Sequence, residues 1–367
     1  MTTEVTIVFW SVVAARFALP LFIPRFPLPA IIACLILDGV DQTIFQSFGF
    51  DPPGYQNYDK AMDLFYLAIA YLTTMQNWTR TSAASIAKFL FFYRLVGVLL
   101  FELTGARLLL LVFANTFEYF FIAYELVRTR WDPRRYGLRW WLLMAAGIWI
   151  LIKLPQEFWI HIAKLDLTDA LRDVPWFGPA LVAALLALVA VLWFVVRPRL
   201  DRPDWPLRIL ADPLPAEMAT ATQRDRWTAT HVRIRSWDTV ERIVLIGLLS
   251  VIYARILPGL EVSGLSLFVG IAVYVVANVA ISLAVARRVG SKEGLAAAFG
   301  ARVFVNITLV LLARLLLGGN ALSLTDTLFF VLLLTLLTTL QDRFAPVGAV
   351  RAEHDHADPE PATTAAR

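Results

Sequence analysis

The residues best suited to chemistry are four aspartates in the stretch from Leu28 to Asp63. Asp38 and Asp41 lie within an apolar run that is long enough to cross a bilayer, and Asp59 and Asp63 lie at the start of the next run. A carboxylate in hydrocarbon costs roughly 2.5–3.5 kcal/mol on insertion scales, and such residues usually face a bundle interior or a water-filled path. This stretch is therefore the first place to look for a functional site.

These carboxylates form two stripes, each on one face of a predicted helix at about 100° per residue. The stripes consist of Asp38, Asp41, Gln42 and Phe45 in the first helix, and Asp59, Asp63, Tyr66 and Ala70 in the second. If the stripes face each other, they form an acidic cleft that opens to the outside, with Tyr55, Gln56 and Tyr58 at its mouth. Carboxylate oxygens suit a hard divalent cation or a cationic substrate, and the sequence indicates no other cofactor. The plainer alternative is that Asp59 and Lys60 lie at the water interface.

A second polar group is predicted near the bilayer midplane. Asp38, Arg94 and Glu118 lie near the centres of three different apolar runs, so three ionisable groups share one depth. An arginine offers a planar fork of donors that two acids can share, whereas a buried acid without a partner becomes a proton carrier. The first arrangement locks helices together or recognises a charged substrate, and the second carries protons.

A third polar patch extends from Leu151 to Asp173. Pro155 is expected to end one apolar run and to begin a short helix as its first residue. On that helix Glu157 and His161 are one turn apart and can form a hydrogen bond. We expect an interfacial or re-entrant helix that caps the acidic cleft, in which His161 is an acid/base residue, a pH sensor or an ordinary hydrogen-bonded histidine. A zinc site on His161 would lack partners, and no metal ligands are assigned.

The elements that position these residues are predicted to be transmembrane helices. Of the 367 residues, 59% are hydrophobic, and they occur in blocks of the length that a helix needs to cross a bilayer. The sequence predicts an all-α, polytopic transmembrane bundle, in which Arg16 and Pro20 make the first span the least regular. The eleven predicted spans are Val5–Leu21, Leu28–Phe48, Tyr58–Gln76, Ala83–Leu103, Leu108–Val127, Leu138–Leu154, Trp176–Val196, Thr239–Leu257, Leu265–Ala286, Leu295–Leu317 and Leu322–Leu340.

Basic residues predict the orientation of the bundle. Arginine and lysine are concentrated in three loops, each two spans from the next, so eleven spans place all three on one side, the cytoplasm. The N-terminus is then outside and the C-terminus inside. We divide the chain into a bundle of seven spans (1–196), a basic cytoplasmic loop (197–238), a bundle of four spans (239–343) and a disordered tail (344–367). Within the loop, the segment from Pro215 to Arg235 is either a surface helix or, as we favour, a plain charged connector.

The sequence argues against several classes of function. The net charge of +4 comes from loop residues and is explained by membrane topology, so no nucleic-acid partner is expected. The sequence has no phosphate-binding glycine loop, no dinucleotide fingerprint and no zinc-protease motif. Cys34 is the one cysteine, which excludes a disulfide framework within the chain.

Three hypotheses for function remain. The first is a secondary transporter or permease, since its substrate and ion sites would lie near the midplane. The second is a membrane-embedded transferase or hydrolase that acts on a lipid-linked substrate at the outer face, with carboxylates as general base. The third is a structural membrane subunit. The expected location is the plasma (inner) membrane, and the expected partners are the bilayer and a small molecule, an ion or a lipid-linked substrate.

Overall fold

The computed structural model describes residues 3–50, 55–163, 173–233, 235–256 and 324–357, together with residues 170, 171, 270, 272, 274–276, 278–280, 303 and 307. Within these residues the chain forms helices and connecting loops, with no β-strand. The ninth predicted span, Leu265–Ala286, lies mostly outside the described residues, and the tenth, Leu295–Leu317, lies almost entirely outside them.

Four long helices build the first part of the bundle. Helix α1 covers Thr3–Ala18, α2 covers Pro27–Ser47, α3 covers Tyr55–Asn77 and α4 covers Thr81–Thr104. Pro27 begins α2, where its missing N–H removes no helical hydrogen bond. Helix α3 is the centre of the bundle, because every residue from Ala61 to Thr74 except Asp63 is buried.

The fifth predicted span is broken into two helices. Helix α5 covers Leu108–Val112, and α6 covers Thr116–Arg128. Gly97 of α4 makes room for this break, because a Cβ atom at position 97 would lie 2.0 Å from Cβ of Phe113. Irregular backbone at membrane depth is tolerated where protein buries it or where it lines a cavity.

Pro155 does not end the sixth span, contrary to the sequence-based expectation. Helix α7 covers Leu138–Ile148 and continues through a π-helical segment, Trp149–Lys153, into α8, Leu154–Glu157. A second π-helical segment, Phe158–Ile162, follows without a break. Proline normally breaks a helix because it lacks an N–H donor, but local π-helical turns let a membrane helix pass through it. The predicted separate cap is therefore the end of this helix.

The second half of the described chain contains four further helices. Helix α9 covers Phe177–Val191, α10 covers Ala221–His231, α11 covers Trp237–Ile256 and α12 covers Leu324–Ala357. Helix α10 lies in the long loop and begins with a capping box between Thr220 and Gln223. The structure thus contains the surface helix that we had considered less favoured than a plain connector.

The expected disordered tail is helical as far as Ala357, which corrects the prediction for residues 344–357. Val347 and Val350 pack against Met218 of the long loop. A Cβ atom at Gly348 would lie 2.9 Å from the carbonyl oxygen of Met75, so the absence of a side chain lets α12 approach α3 closely. Polar composition suggested disorder, but these tertiary contacts order the segment.

Within the part of the chain that the structure describes, six helical stretches are long and apolar enough to cross a membrane. They are Thr3–Phe22, Pro27–Ser47, Thr81–Thr104, Leu108–Arg128, Leu138–Ile160 and Phe177–Arg199. They correspond to the first, second, fourth, fifth, sixth and seventh predicted spans. Helices α3, α11 and α12 cover the third, eighth and eleventh predicted spans, but they are not among these six. The total of eleven spans and the orientation remain predictions.

Candidate functional site

The guanidinium group of Arg16 is the centre of the candidate site. Its Nη2 donates to Oδ1 of Asp38 at 2.5 Å and to Oδ1 of Asp63 at 2.6 Å. Its Nη1 donates to Oδ1 of Asp59 at 2.6 Å and also to Asp41. We call these five residues the aspartate cluster. The structure therefore brings together all four aspartates that the sequence singled out.

Three helices hold the aspartate cluster in place. Arg16 lies in the last turn of α1, where a positive charge also interacts favourably with the helix dipole. Asp38 and Asp41 are three residues apart on α2, and Asp59 and Asp63 are four residues apart on α3. Both spacings place a pair of side chains on one face of a helix, so each helix presents two carboxylates to the same guanidinium.

The cluster has a buried floor and an accessible rim. The side chains of Arg16 and Asp41 are each only 3% exposed. The side chains of Asp38, Asp63 and Asp59 are 26%, 35% and 36% exposed. These three carboxylates are therefore partly accessible, whereas Arg16 and Asp41 are not.

The charges in the aspartate cluster do not balance. Four ionised carboxylates and one guanidinium leave a formal excess of three negative charges. Like charges at this separation repel strongly where water is scarce, and carboxylates that share a site hold a proton between them. Bound protons or a bound cation would reduce the excess charge.

A bound metal ion would explain the charge imbalance less directly than bound protons do. Oxygen atoms of Asp38, Asp41 and Asp59 lie within 4.8 Å of one another, which is close enough for three ligands of one ion. However, the Arg16 guanidinium already contacts all three carboxylates. A metal ion in this position would have to displace Arg16.

A second buried group surrounds Glu118. Tyr66 donates a hydrogen bond from its hydroxyl group to Oε1 of Glu118, and Nδ2 of Asn115 donates to Oε2 at 3.1 Å. Nζ of Lys153 lies 3.8 Å from the same Oε2 atom. We call Tyr66, Asn115, Glu118 and Lys153 the glutamate cluster. Glu118 and Lys153 are both buried.

The glutamate cluster is built around the break between α5 and α6. Nη1 of Arg94 donates to the carbonyl oxygen of Phe113 at 3.0 Å, and the backbone N–H of Asn115 donates to Glu157 at 3.3 Å. These side chains satisfy backbone groups that the broken helix leaves without helical partners. Lys153 also donates to Gln156 at 3.0 Å, so its ammonium group has several partners.

The three groups that were expected to share one depth have different hydrogen-bond partners in the structure. Asp38 belongs to the aspartate cluster, Glu118 belongs to the glutamate cluster, and Arg94 donates to a backbone carbonyl. Arg94 therefore takes a different role from the shared arginine that we predicted. That role belongs to Arg16, which the sequence analysis treated only as an interruption of the first span.

The remaining predicted site residues have smaller roles or lie outside the described part. Gln42 is exposed, and its backbone N–H donates to Asp41. Lys60, which the plainer alternative put at the water interface, forms an ion pair with Glu102 at 3.2 Å. Nothing is described for the side chains of Tyr55, Gln56, Tyr58 and His161.

A third charged group lies at the opposite end of α3. Nε of Arg128 donates to Glu125 at 2.6 Å, and its Nη1 donates to Asp212 of the long loop at 3.1 Å. Nε1 of Trp78 also donates to Glu125, at 2.8 Å. We call Trp78, Glu125, Arg128 and Asp212 the loop anchor, because this group fastens the long loop to the bundle.

No protein-family model, curated protein or solved structure matches this chain. Its class therefore follows from its own features. The described residues are helical, and six helical stretches are long and apolar enough to cross a membrane. These features are consistent with a helical membrane protein.

Proposed function

We propose that the protein is a secondary transporter or permease that binds a proton or another cation in the aspartate cluster. The observation that carries the proposal is the ratio of four carboxylates to one guanidinium at a partly accessible place between helices. Ionisable residues within membrane spans commonly mark ion pathways and proton relays.

A purely structural ion pair would not need this excess of acid. Burying charges is costly, and a pair stabilises a protein only where the partners are matched and hydrogen-bonded. Three of the four carboxylates in the cluster are additional to what Arg16 requires for charge balance. An excess of carboxylates is useful where a proton or a cation must bind and later be released.

The proposal is tested by measuring charge movement in proteoliposomes on a solid-supported membrane. Rapid jumps in pH, in a monovalent cation or in a divalent cation should produce a transient current in the wild-type protein. Asp38→Asn and Asp63→Asn should reduce that current at least about tenfold, because each variant removes a carboxylate that contacts Arg16.

The matched control is Asp132→Asn. Asp132 also forms an ion pair with an arginine, Arg134, but it lies in the loop between α6 and α7, outside the aspartate cluster. This variant should give the wild-type current. A wild-type protein that shows no current with any of these ions, or a current that survives both cluster substitutions, would contradict the proposal.

One observation favours a second candidate, a transferase or hydrolase that acts on a lipid-linked substrate. Three carboxylates of the cluster are close enough to hold a divalent ion if Arg16 moves away, and such an ion can activate water or orient a phosphate. In this case gene deletion should change the profile of extracted lipids, and the change should reverse with wild-type protein but not with Asp41→Asn. An unchanged lipid profile would count against this candidate.

A further inference from the structure

We propose that Tyr66 passes a proton between the aspartate cluster and Glu118, which would make the two clusters one relay. This inference rests on the proposed function, because it assigns a route to the proton that the aspartate cluster binds. Tyr66 is then a positioning and proton-transfer residue that the transport step requires.

The position of Tyr66 suits this role. It lies three residues after Asp63 on α3, so the two side chains are neighbours on one face of the helix. Its hydroxyl group already donates to Glu118. Tyr66 and the residues from Leu64 to Thr74 on α3 are buried, so the proton acceptor beyond Asp63 lies away from solvent.

The step is balanced in atoms and charge. A protonated Asp63 releases its proton to the hydroxyl oxygen of Tyr66, and the original hydroxyl proton moves to Oε1 of Glu118. One O–H bond breaks at Asp63 and one forms at Tyr66, while a second breaks at Tyr66 and forms at Glu118. Rotation of the hydroxyl group then restores the starting state, and tyrosine is unchanged.

The surroundings of Glu118 accommodate both of its protonation states. When Glu118 is ionised, it accepts from Asn115 and lies 3.8 Å from the ammonium group of Lys153. The positive charge of Arg94 also acts on it, against the like charge of Asp38. When Glu118 is protonated, Lys153 still interacts with Gln156 and with the charge of Glu157. Neither state leaves a buried charge alone, as a reversible relay requires.

Helix α3 contains a matched control for Tyr66. Tyr71 is also buried on α3, and its hydroxyl group also donates to a glutamate, Glu241. Glu241 pairs with Lys88 away from the aspartate cluster. Tyr71→Phe therefore removes the same hydroxyl group and the same kind of hydrogen bond from the same helix, but it does not interrupt the relay.

The experiment uses infrared difference spectroscopy of the full chain in lipid after a pH jump. The carboxyl band that Glu118→Gln removes reports Glu118, and the band that Asp63→Asn removes reports the aspartate cluster. We expect Tyr66→Phe to slow the Glu118 band by about 100-fold, which is within the usual contribution of a positioned proton-transfer group. The aspartate band should keep its rate, and Tyr71→Phe should leave both bands unchanged.

Each other outcome has a distinct meaning. An unchanged Glu118 band in Tyr66→Phe, or no Glu118 band in the wild type, overturns the relay and leaves the proposed function intact. Absence of the aspartate band in the wild type overturns the relay and also the binding of a proton by the aspartate cluster, whereas binding of another cation is decided separately by the current measurement. If Tyr66→Phe does not fold, the order of the two bands in the wild-type protein tests the relay. The Glu118 band must follow the aspartate band on acidification, and the reverse order overturns the relay.

Discussion

The two ends of α3 hold charged groups of opposite design. With 23 residues, this helix is about 34 Å long. Near its start, the aspartate cluster combines four carboxylates with one guanidinium and has an exposed rim. Just beyond its end, the loop anchor surrounds Arg128 with two carboxylates, and the side chains of Arg128 and Glu125 are 1% and 0% exposed.

This difference separates structural charge from functional charge. The Arg128–Glu125 pair of the loop anchor is closed to solvent, and each member of the anchor holds a neighbouring element in place. The aspartate cluster holds more acid than its arginine needs, and three of its four carboxylates are partly exposed. Substitutions at the two ends should therefore differ in what they change: stability at the loop anchor, and ion binding at the aspartate cluster.

The largest effect is expected for Arg128→Gln. The substitution leaves Glu125 buried without its guanidinium partner, and breaking a buried pair in this way costs about 3–5 kcal/mol. The free energy of unfolding in mixed detergent micelles measures the loss. Arg134→Gln is the control, because the pair of Arg134 with Asp132 is exposed and worth about 0–1 kcal/mol. Equal stability of the two variants would contradict the claim that the loop anchor is a structural charge group.

Arg16→Gln should come next and should depend on pH. Without the guanidinium, the four carboxylates repel one another, so we expect a loss of about 3 kcal/mol at neutral pH. Acidification adds protons to the cluster and should restore part of this loss. Unfolding measured across a pH series checks the sign. A loss that stays constant or grows as the pH falls would show that repulsion between carboxylates is not its cause.

A smaller effect is expected at the break between helices α5 and α6. Gly97→Ala places a Cβ atom 2.0 Å from Cβ of Phe113, so α5 or α4 must shift at a cost of about 1–3 kcal/mol. Gly39→Ala is the control, because nothing lies within 4 Å of a Cβ atom at that position. The measurement is again unfolding in micelles. If Gly97→Ala is as stable as Gly39→Ala, the break is not closely packed against α4.

The smallest effect on stability is expected for Asp59→Asn. This substitution removes one of the excess carboxylates from the exposed rim, so lost attraction to Arg16 and relieved repulsion between acids should nearly cancel. We expect a change below about 1 kcal/mol. Glu125→Gln at the loop anchor should destabilise the protein clearly more in the same assay. A large loss in Asp59→Asn would instead mark the cluster as a structural lock.

Much of this arrangement could be predicted from the sequence. Helical periodicity placed the four aspartates on two stripes, because a spacing of three or four residues fixes a shared face within one helix. The sequence could not show which helices are neighbours. Arg16 was therefore not recognised as their partner, although an arginine within an apolar run needs a counter-ion and was itself a signal.

Other differences have local causes. Pro155 suggested a helix end, whereas the helix continues through it and the buried Lys153 lies 3.8 Å from Glu118. The helix continues past Pro155 because of π-helical turns, which sequence periodicity does not reveal. The segment after Phe344 looked disordered because its composition is polar, and contacts with Met75 and Met218 from distant parts of the chain decided otherwise.

The most direct test of the account is a count of the protons that the purified protein takes up when the pH falls from about 9 to about 5. Exposed aspartates stay ionised throughout this range. The wild type should take up about one proton more than Asp63→Asn, or should release that proton when a cation binds. Asp132→Asn should match the wild type. Equal uptake by the wild type and Asp63→Asn, without any bound cation, would contradict the claim that the aspartate cluster binds an exchangeable charge.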